Sequence, residues 1–471
     1  MTCDLIFLSL LHWAIRMAIN SNFNISKISQ WSYAETSIAP LVVFRIIFGV
    51  MMFVGTLRFW LKGWIHDFFL QPDHFFHYYG FEWVKPMGEF GMFTIFSLLL
   101  ISSLSIALGL FYRVFSILFF FLFTYVELID VTNYLNHYYF ISLVSFLMCF
   151  LPANRSFSLD IRYNREKTLK SVPNWTVGVL KYQLALVYFF AGVAKLNSDW
   201  LFDAMPMSIW LQSKTHWPIL GSLFTEKWVA YSCSWTACLF DLTVAFFLLS
   251  KRYRPIAYFV LVIFHVITGL MFPIGMFPWI MILATLIFFS PDFHEKIIAF
   301  IRLMFNLKAK KSTATNFLVL KGFKRRLLSV FLVTYVLIQL LVPLRYVLYP
   351  GDLFWTEQGY RFSWRVMLIE KAGTAFFYVT DPETGNRGEV NNCDFLTPNQ
   401  EKMMATQPDL ILQYAHIIKN EVEFRGLKDP IINAEVYVTL NGSRSKLFID
   451  PEVDLTKLQD DFKPKDWILD N

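Results

Sequence analysis

Long apolar runs, separated by short polar stretches, fill the chain as far as about residue 350. The runs Ile38–Leu57, Met92–Phe111, Val114–Leu128, Tyr138–Leu151, Val177–Val193, Val229–Leu249, Ile256–Met271, Phe277–Phe289 and Leu327–Leu344 are almost free of charge. A helix crosses the hydrocarbon core of a bilayer with about 20 apolar residues. The runs therefore predict a membrane all-α bundle of about nine transmembrane helices, several of them short, over residues 37–346. Beyond Pro350 the pattern changes. Phe376–Thr380 and Arg387–Val390 flank a turn rich in Asp, Pro, Thr and Gly, and Glu435–Leu440 faces Lys446–Asp450 across Asn441-Gly442. Both read as antiparallel hairpins. Asp409–Lys419 has helical spacing behind the start signal Pro408-Asp409. Residues 347–471 are thus expected to form a small extracytoplasmic α+β domain with an antiparallel sheet. Residues 1–36 are expected to form an N-terminal interfacial arm, because Arg16 interrupts their apolar run and no small-residue cleavage site follows.

The loops alternate between two sides. The first side takes the chain start, Arg113, loop 152–175, Lys251–Arg254 and loop 291–326; the second takes loops 58–91, 128–137, 196–227 and 272–276 and the tail. Lys and Arg crowd the first side and are sparse on the second, where only Arg58, Lys62, Lys85, Lys214 and Lys227 occur in the inter-helix loops. Positive loops stay inside. This multipass protein is therefore expected to keep its N-terminus in the cytoplasm and its tail in periplasm or lumen. The short tail points to a bacterial inner membrane.

Composition supports the membrane reading, with 56% hydrophobic and only 17% charged residues, against about 25% charged in soluble domains. The net charge of +6 is scattered over loops, so it offers no nucleic-acid surface. Cys149, Cys233 and Cys238 fall in apolar segments, and the five cysteines form neither a disulfide framework nor a zinc spacing.

Chemistry centres on Lys195, which ends the apolar run that begins near Tyr182. A helical side chain leans toward the N-terminus, so Lys195 lies over the small residues Ala191 and Gly192. That leaves a gap for a ligand or a neighbouring helix. Two readings fit: a lysine that snorkels to the headgroups, or one inside the bundle, where burial favours a neutral amine able to act as a base. His137 follows Asn136 in a polar stretch between apolar runs, as a ligand-binding or an interfacial histidine. His265 and His137 approach the same membrane face as Lys195. Arg45 and Asp241 are charges inside apolar runs that need partners, and a structural ion pair between them is one solution. His74 and His77, with His66 upstream, lack further ligands and read as an aromatic interfacial segment, not a metal site. No P-loop, nucleophile elbow or zinc helix motif is present.

Several stretches together resemble the vitamin K-dependent gamma-carboxylase family and its bacterial relatives with the HTTM domain. They are Val43-Phe-Arg-Ile-Ile-Phe-Gly49, Tyr125-Val-Glu-Leu-Ile-Asp130, Asn136-His137, Ala153-Asn-Arg155, Tyr188-Phe-Phe-Ala-Gly-Val-Ala-Lys-Leu-Asn-Ser-Asp-Trp200, Phe240-Asp-Leu242, Phe264-His265 and Ile274-Gly-Met-Phe277. The tail adds Tyr360-Arg-Phe-Ser-Trp364 and Phe448-Ile-Asp-Pro-Glu-Val-Asp454. The resemblance implies an enzyme that couples oxygenation of reduced vitamin K, a menaquinol- or phylloquinol-type hydroquinone, to its epoxide with carboxylation of protein glutamate, using O2 and CO2 and no metal. It implies Lys195 as catalytic base and His137 as a stabilising catalytic residue. Asn136, Tyr188, His265, Trp364 and Met367 are implied to line the cofactor site. The expected partners are the lipid bilayer, a membrane quinol and a glutamate-containing protein or peptide. The chain departs from the animal members by reading Ser-Trp-Arg-Val-Met where they have Ser-Trp-Asp-Met-Met, by Ala194 in place of a second lysine, by lacking their cysteine pair and by a shorter C-terminus. A quinol epoxidase without protein carboxylation, and a transporter or structural protein with Lys195, Arg45 and Asp241 in a polar path or in ion pairs, are the alternatives.

Overall fold

The computed structural model of the chain describes residues 25–307, 315–317 and 322–471. Of the expected N-terminal arm, residues 1–24 lie outside the described residues. The bundle is built from α1 (Ala39–Leu61), α2 (Glu89–Leu108), α3 (Tyr112–Leu128), α4 (Asn136–Met148), α5 (Trp175–Ala194), α6 (Lys227–Leu249), α7 (Arg254–Met271), α8 (Phe277–Ala284), α9 (Pro291–Met304) and α10 (Gly322–Leu341). Each apolar run does form a helix.

The expected nine crossings are not all present among the described residues. Six helices are long and apolar enough to cross: α1, α2, α5, α6, α7 and α10, the last prolonged to Leu348. The difference is one of length. At 1.5 Å per residue, the 17 residues of α3, the 13 of α4 and the 8 of α8 rise about 26 Å, about 20 Å and about 12 Å, short of the ~30 Å core. The stretch Phe277–Phe288 then turns by 116° into Pro291–Met304, and counting this bent pair gives up to seven. Ser290 causes the turn locally, because its hydroxyl caps a new helix that begins at Pro291.

The helices cross closely where small residues allow it. A Cβ on Gly49 of α1 would lie 2.4 Å from the Ala107 nitrogen and 2.6 Å from the Ser103 carbonyl oxygen of α2. Gly49 is therefore the contact that lets the two backbones touch.

Contacts between loops follow the two sides set out above. Strands β1 (Glu35–Ser37), β2 (Leu169–Pro173) and β3 (Thr315–Phe317) form a small sheet in that order. It joins the chain start, loop 152–175 and loop 291–326, and its three-to-five-residue strands carry too little pattern to be read in advance. Nearby, the buried Arg45 guanidinium donates to the carbonyl oxygens of Ala153 at 3.0 Å and Phe157 at 2.7 Å. Arg45 therefore does not pair with Asp241, as sequence had allowed.

The tail carries a four-stranded antiparallel sheet, β4 (Lys371–Thr380), β5 (Arg387–Val390), β6 (Ile431–Leu440) and β7 (Lys446–Leu447), in the order β5-β4-β6-β7. Both expected hairpins are present. The helices α11 (Pro398–Met404) and α12 (Pro408–Phe424) complete it. Leu410, Ile411, Tyr414 and Ile418 of α12 pack on Phe377, Val436 and Val438 of the sheet, and the same core takes in Phe76, Tyr78 and Val131 from the bundle loops. The His74–His77 segment is therefore held by the tail instead of facing lipid. The Gln400 amide donates to the His74 carbonyl oxygen at 2.8 Å and to the Asp130 carboxylate at 2.9 Å. Gln413 bonds both the N–H and the carbonyl oxygen of His77, at 2.8 and 3.0 Å. His66 is exposed beside Asp67.

Gly49→Ala should force α1 away from α2 and cost about 1–3 kcal/mol, the usual effect of overpacking. Thermal unfolding of the detergent-solubilised protein reads this as a lowered melting temperature, and an unchanged one would show that the crossing opens without cost.

Candidate functional site

Lys195 is the C-cap of α5. Its side chain turns back along the helix, with Nζ 3.2 Å from the Ala191 carbonyl oxygen and 2.9 Å from the Asp241 carboxylate on α6. Only 5% of Lys195 is exposed, so it does not snorkel. The space beside Gly192 is filled by the neighbouring helix: a Cβ there would lie 2.6 Å from the Leu242 nitrogen. Gly192 thus brings α6 close enough for Asp241 to reach the ammonium. The Trp200 ring stands 5.3 Å from Nζ and closes another side.

Two turns earlier on α5, the buried Tyr188 hydroxyl lies 2.8 Å from His265 Nε2 on α7. Phe240, next to Asp241, stacks on Phe264 at 4.1 Å and meets Tyr188 edge-on at 6.0 Å. The Phe277 ring, at the start of α8, lies 6.0 Å from the His265 ring and 5.8 Å from the His137 ring. Five helices, α4 to α8, therefore converge on one aromatic-walled centre. His265 Nδ1 has no hydrogen-bond partner there.

Asn136 opens α4. Its oxygen accepts from the Tyr134 hydroxyl at 3.1 Å, and its amide donates to the Arg365 carbonyl oxygen at 2.9 Å. This second bond joins the bundle to the segment after the last span. Trp364 is buried and stacks on Tyr139 of α4 at 4.9 Å, with its indole nitrogen unpartnered. Met367 is half-buried on the same segment. Phe362, Trp364 and Met367 have φ of 59°, 58° and 47°, a left-handed conformation that costs side chains of this size about 1–2 kcal/mol each. The segment is held in this form by its neighbours, including a 2.8 Å bond from the Phe362 N–H to the Tyr134 hydroxyl.

Sequence reasoning allowed an ion pair among Lys195, Arg45 and Asp241 without fixing which of the two cations Asp241 takes; the structure gives it Lys195. The signal was available, a carboxylate inside an apolar run, but sequence does not fix helix depth to within a turn. Phe277, the shared neighbour of both histidines, belonged to a resemblance stretch, but nothing in the sequence marked it as a site residue. With Arg45 bonded to Ala153 and Phe157, a polar path through all three of Lys195, Arg45 and Asp241 is broken among the described residues, while the ion pair between Lys195 and Asp241 remains. No group of three or more His, Cys, Asp or Glu is gathered for a metal among them.

Lys195→Ala leaves the Asp241 carboxylate buried and unpaired, a loss of about 3–5 kcal/mol. Lys195→Met combined with Asp241→Leu removes both charges and should restore most of the lost melting temperature in detergent. If the double variant melts as low as the single one, the two charges are not coupled.

Residues 33–293 match the family model of the HTTM domain. Residues 324–471 match that of the vitamin K-dependent gamma-carboxylase, lumenal domain. No solved structure matches the chain. The two matches meet the bundle and the tail in turn, and between them include every residue of the site just described. The chain belongs to the vitamin K-dependent gamma-carboxylase family of HTTM-domain membrane proteins.

Proposed function

We propose that the protein is a gamma-glutamyl carboxylase that couples oxygenation of a vitamin K-type quinol to its epoxide with carboxylation of glutamate. The observation that carries the reading is a buried lysine whose only carboxylate partner among the described residues is Asp241, at 2.9 Å, in a chain with both family domains. A glutamate γ C–H is far too weak an acid for any side chain, whereas a hydroquinone hydroxyl resembles a phenol, with a pKa near ~10. Lysine suits the second proton only.

The residues present fit an aromatic diol. Phe277, Trp364 and Tyr139 offer ring faces, and His265 Nδ1 and Trp364 Nε1 are buried polar atoms without partners. His265, Tyr188, Trp364 and Met367 would hold the ring system, with Asn136 fixing the Trp364 segment. When bound, reduced vitamin K would supply with dioxygen the strong base that takes the glutamate γ-proton, leaving the γ-carbon to add CO2.

Lys195 and Asp241 prepare the base. Ammonium with carboxylate, and amine with carboxylic acid, contain the same proton, and burial narrows the difference in cost between the two forms. Lys195 becomes a free amine by passing that proton to Asp241, without bulk water, and can then take a hydroxyl proton at Nζ. His137 donates a hydrogen bond to the developing oxygen anion. The tail lies on the lumenal or periplasmic side and the N-terminus in the cytoplasm, as in a bacterial inner membrane.

Vitamin K epoxide, measured by mass spectrometry in membranes fed hydroquinone and oxygen, tests the reading. The charge-free double variant at Lys195 and Asp241, which retains packing, should form at least 10²-fold less epoxide than the wild type. Adding a glutamate peptide and bicarbonate should raise epoxide and yield carboxylated peptide. Folded wild type that forms no epoxide would sink the proposal, while epoxide without carboxylated peptide would restrict it to a quinol oxygenase.

A further inference from the structure

Arg365 is a buried cation without an anion. It is 7% exposed, and its guanidinium lies 4.6 Å from the Tyr346 ring and 6.0 Å from the Tyr360 ring. Its Nε has no hydrogen-bond partner. Among the described residues no carboxylate comes within ion-pair distance. The carboxylates of this junction are already taken: Asp409 by Arg361, and Glu357 by Lys371 at 3.0 Å. Burial raises the Asp409 carboxyl, but the Arg361 guanidinium outweighs burial and holds it below the usual carboxylate range.

A second guanidinium adds to the excess. Arg345 donates to the Val342 carbonyl oxygen at 2.8 Å, to the Ser363 hydroxyl at 3.2 Å and to the Arg361 carbonyl oxygen. None of these acceptors carries a charge. Burial is the largest influence on the Arg365 pKa and lowers it; Tyr360 and Tyr346, the second also a hydrogen-bond partner, work against burial, and Arg345 works with it. Arginine nonetheless stays protonated at neutral pH, so the positive charge remains. Tyrosine faces attract a cation but do not neutralise it, and a desolvated charge without a counter-ion is costly.

The position of Arg365 indicates which anion answers it. Its own carbonyl oxygen is bonded to Asn136, the neighbour of His137, and the preceding Trp364 stacks on Tyr139. The backbone that carries this guanidinium is therefore fixed at the edge of the candidate site. The strained backbone on either side of Arg365 limits the directions its side chain can take, and its planar fork matches the two oxygens of a carboxylate.

We propose that Arg365 anchors the carboxylate of the glutamyl substrate, with Arg345 supplying a second positive charge beside it. The identity of the carboxylate rests on the proposed function; the anion subsite rests on the unpaired guanidinium.

The test is equilibrium binding to the purified full chain, without quinol or oxygen. A fluorescent pentapeptide with a central glutamate is compared with its glutamine counterpart by anisotropy, and competition by bicarbonate and by phosphatidylglycerol vesicles identifies other anions. The wild type should prefer the glutamate peptide at least tenfold. Arg365→Gln should abolish the preference and leave the melting temperature unchanged or raised, since an unpaired buried charge is removed. Arg365→Lys, which keeps the charge and loses the fork, should bind several-fold more weakly than the wild type. Equal affinity of the wild type for both peptides, or undiminished preference in Arg365→Gln, overturns the proposal. So does binding governed by bicarbonate or by the lipid headgroup with no preference for glutamate. Failure to form epoxide would reject the proposed function and leave this result standing.

Discussion

The bond between Lys195 and Asp241 organises the centre of the bundle. Two charges on neighbouring helices must meet at one depth, because either alone in the apolar interior is costly. Meeting at 2.9 Å sets the register of α5 against α6. Gly192 permits the approach, and the same register brings Phe240 to Tyr188 and Tyr188 to His265. The group proposed as the base is here also a group that fixes geometry. Loss of activity on changing Lys195 alone would therefore mix chemistry with folding, and neutralising both partners separates them.

The second dependence is between the bundle and the tail. Asn136 reaches Arg365, Tyr134 reaches Phe362, and Gln400 reaches Asp130. Asn441 adds a bond to Asp199 at 2.7 Å, just beyond Lys195 in the chain. These bonds place a left-handed segment, which would relax if free, against the helix that carries His137. The site is thus completed by residues on both sides of the last span, and neither family domain contains all of it.

Much of this was legible in sequence, for identifiable reasons. Helices appeared because apolar runs of this length have few other ways to satisfy their backbone in lipid. The hairpin at Asn441-Gly442 appeared because its turn demands those residues, and Asn441 has the positive φ of 49° that such a turn needs. The number of crossings did not appear, since hydropathy describes polarity and α4 and α8 are apolar without being long. Partners in three dimensions were least legible. Lys195 and Asp241 were each marked by cost of burial, yet pairing depends on helix rotation and depth, which one sequence leaves open. Arg365 looked like a substituted position in a tail motif, and its isolation is visible only once the carboxylates around it are seen to be occupied.

The strap His74–His77 bears on how the protein is made. Phe76 belongs to the core of the tail, and the His74 carbonyl oxygen waits for Gln400, 326 residues later. At ribosomal rates of ~5–20 residues per second, the strap is exposed for on the order of 20–60 s before its partner exists. Helix insertion is then well advanced, with an aromatic ribbon still unclaimed at the membrane surface. Biogenesis of this chain therefore depends on a late segment closing over a loop made much earlier.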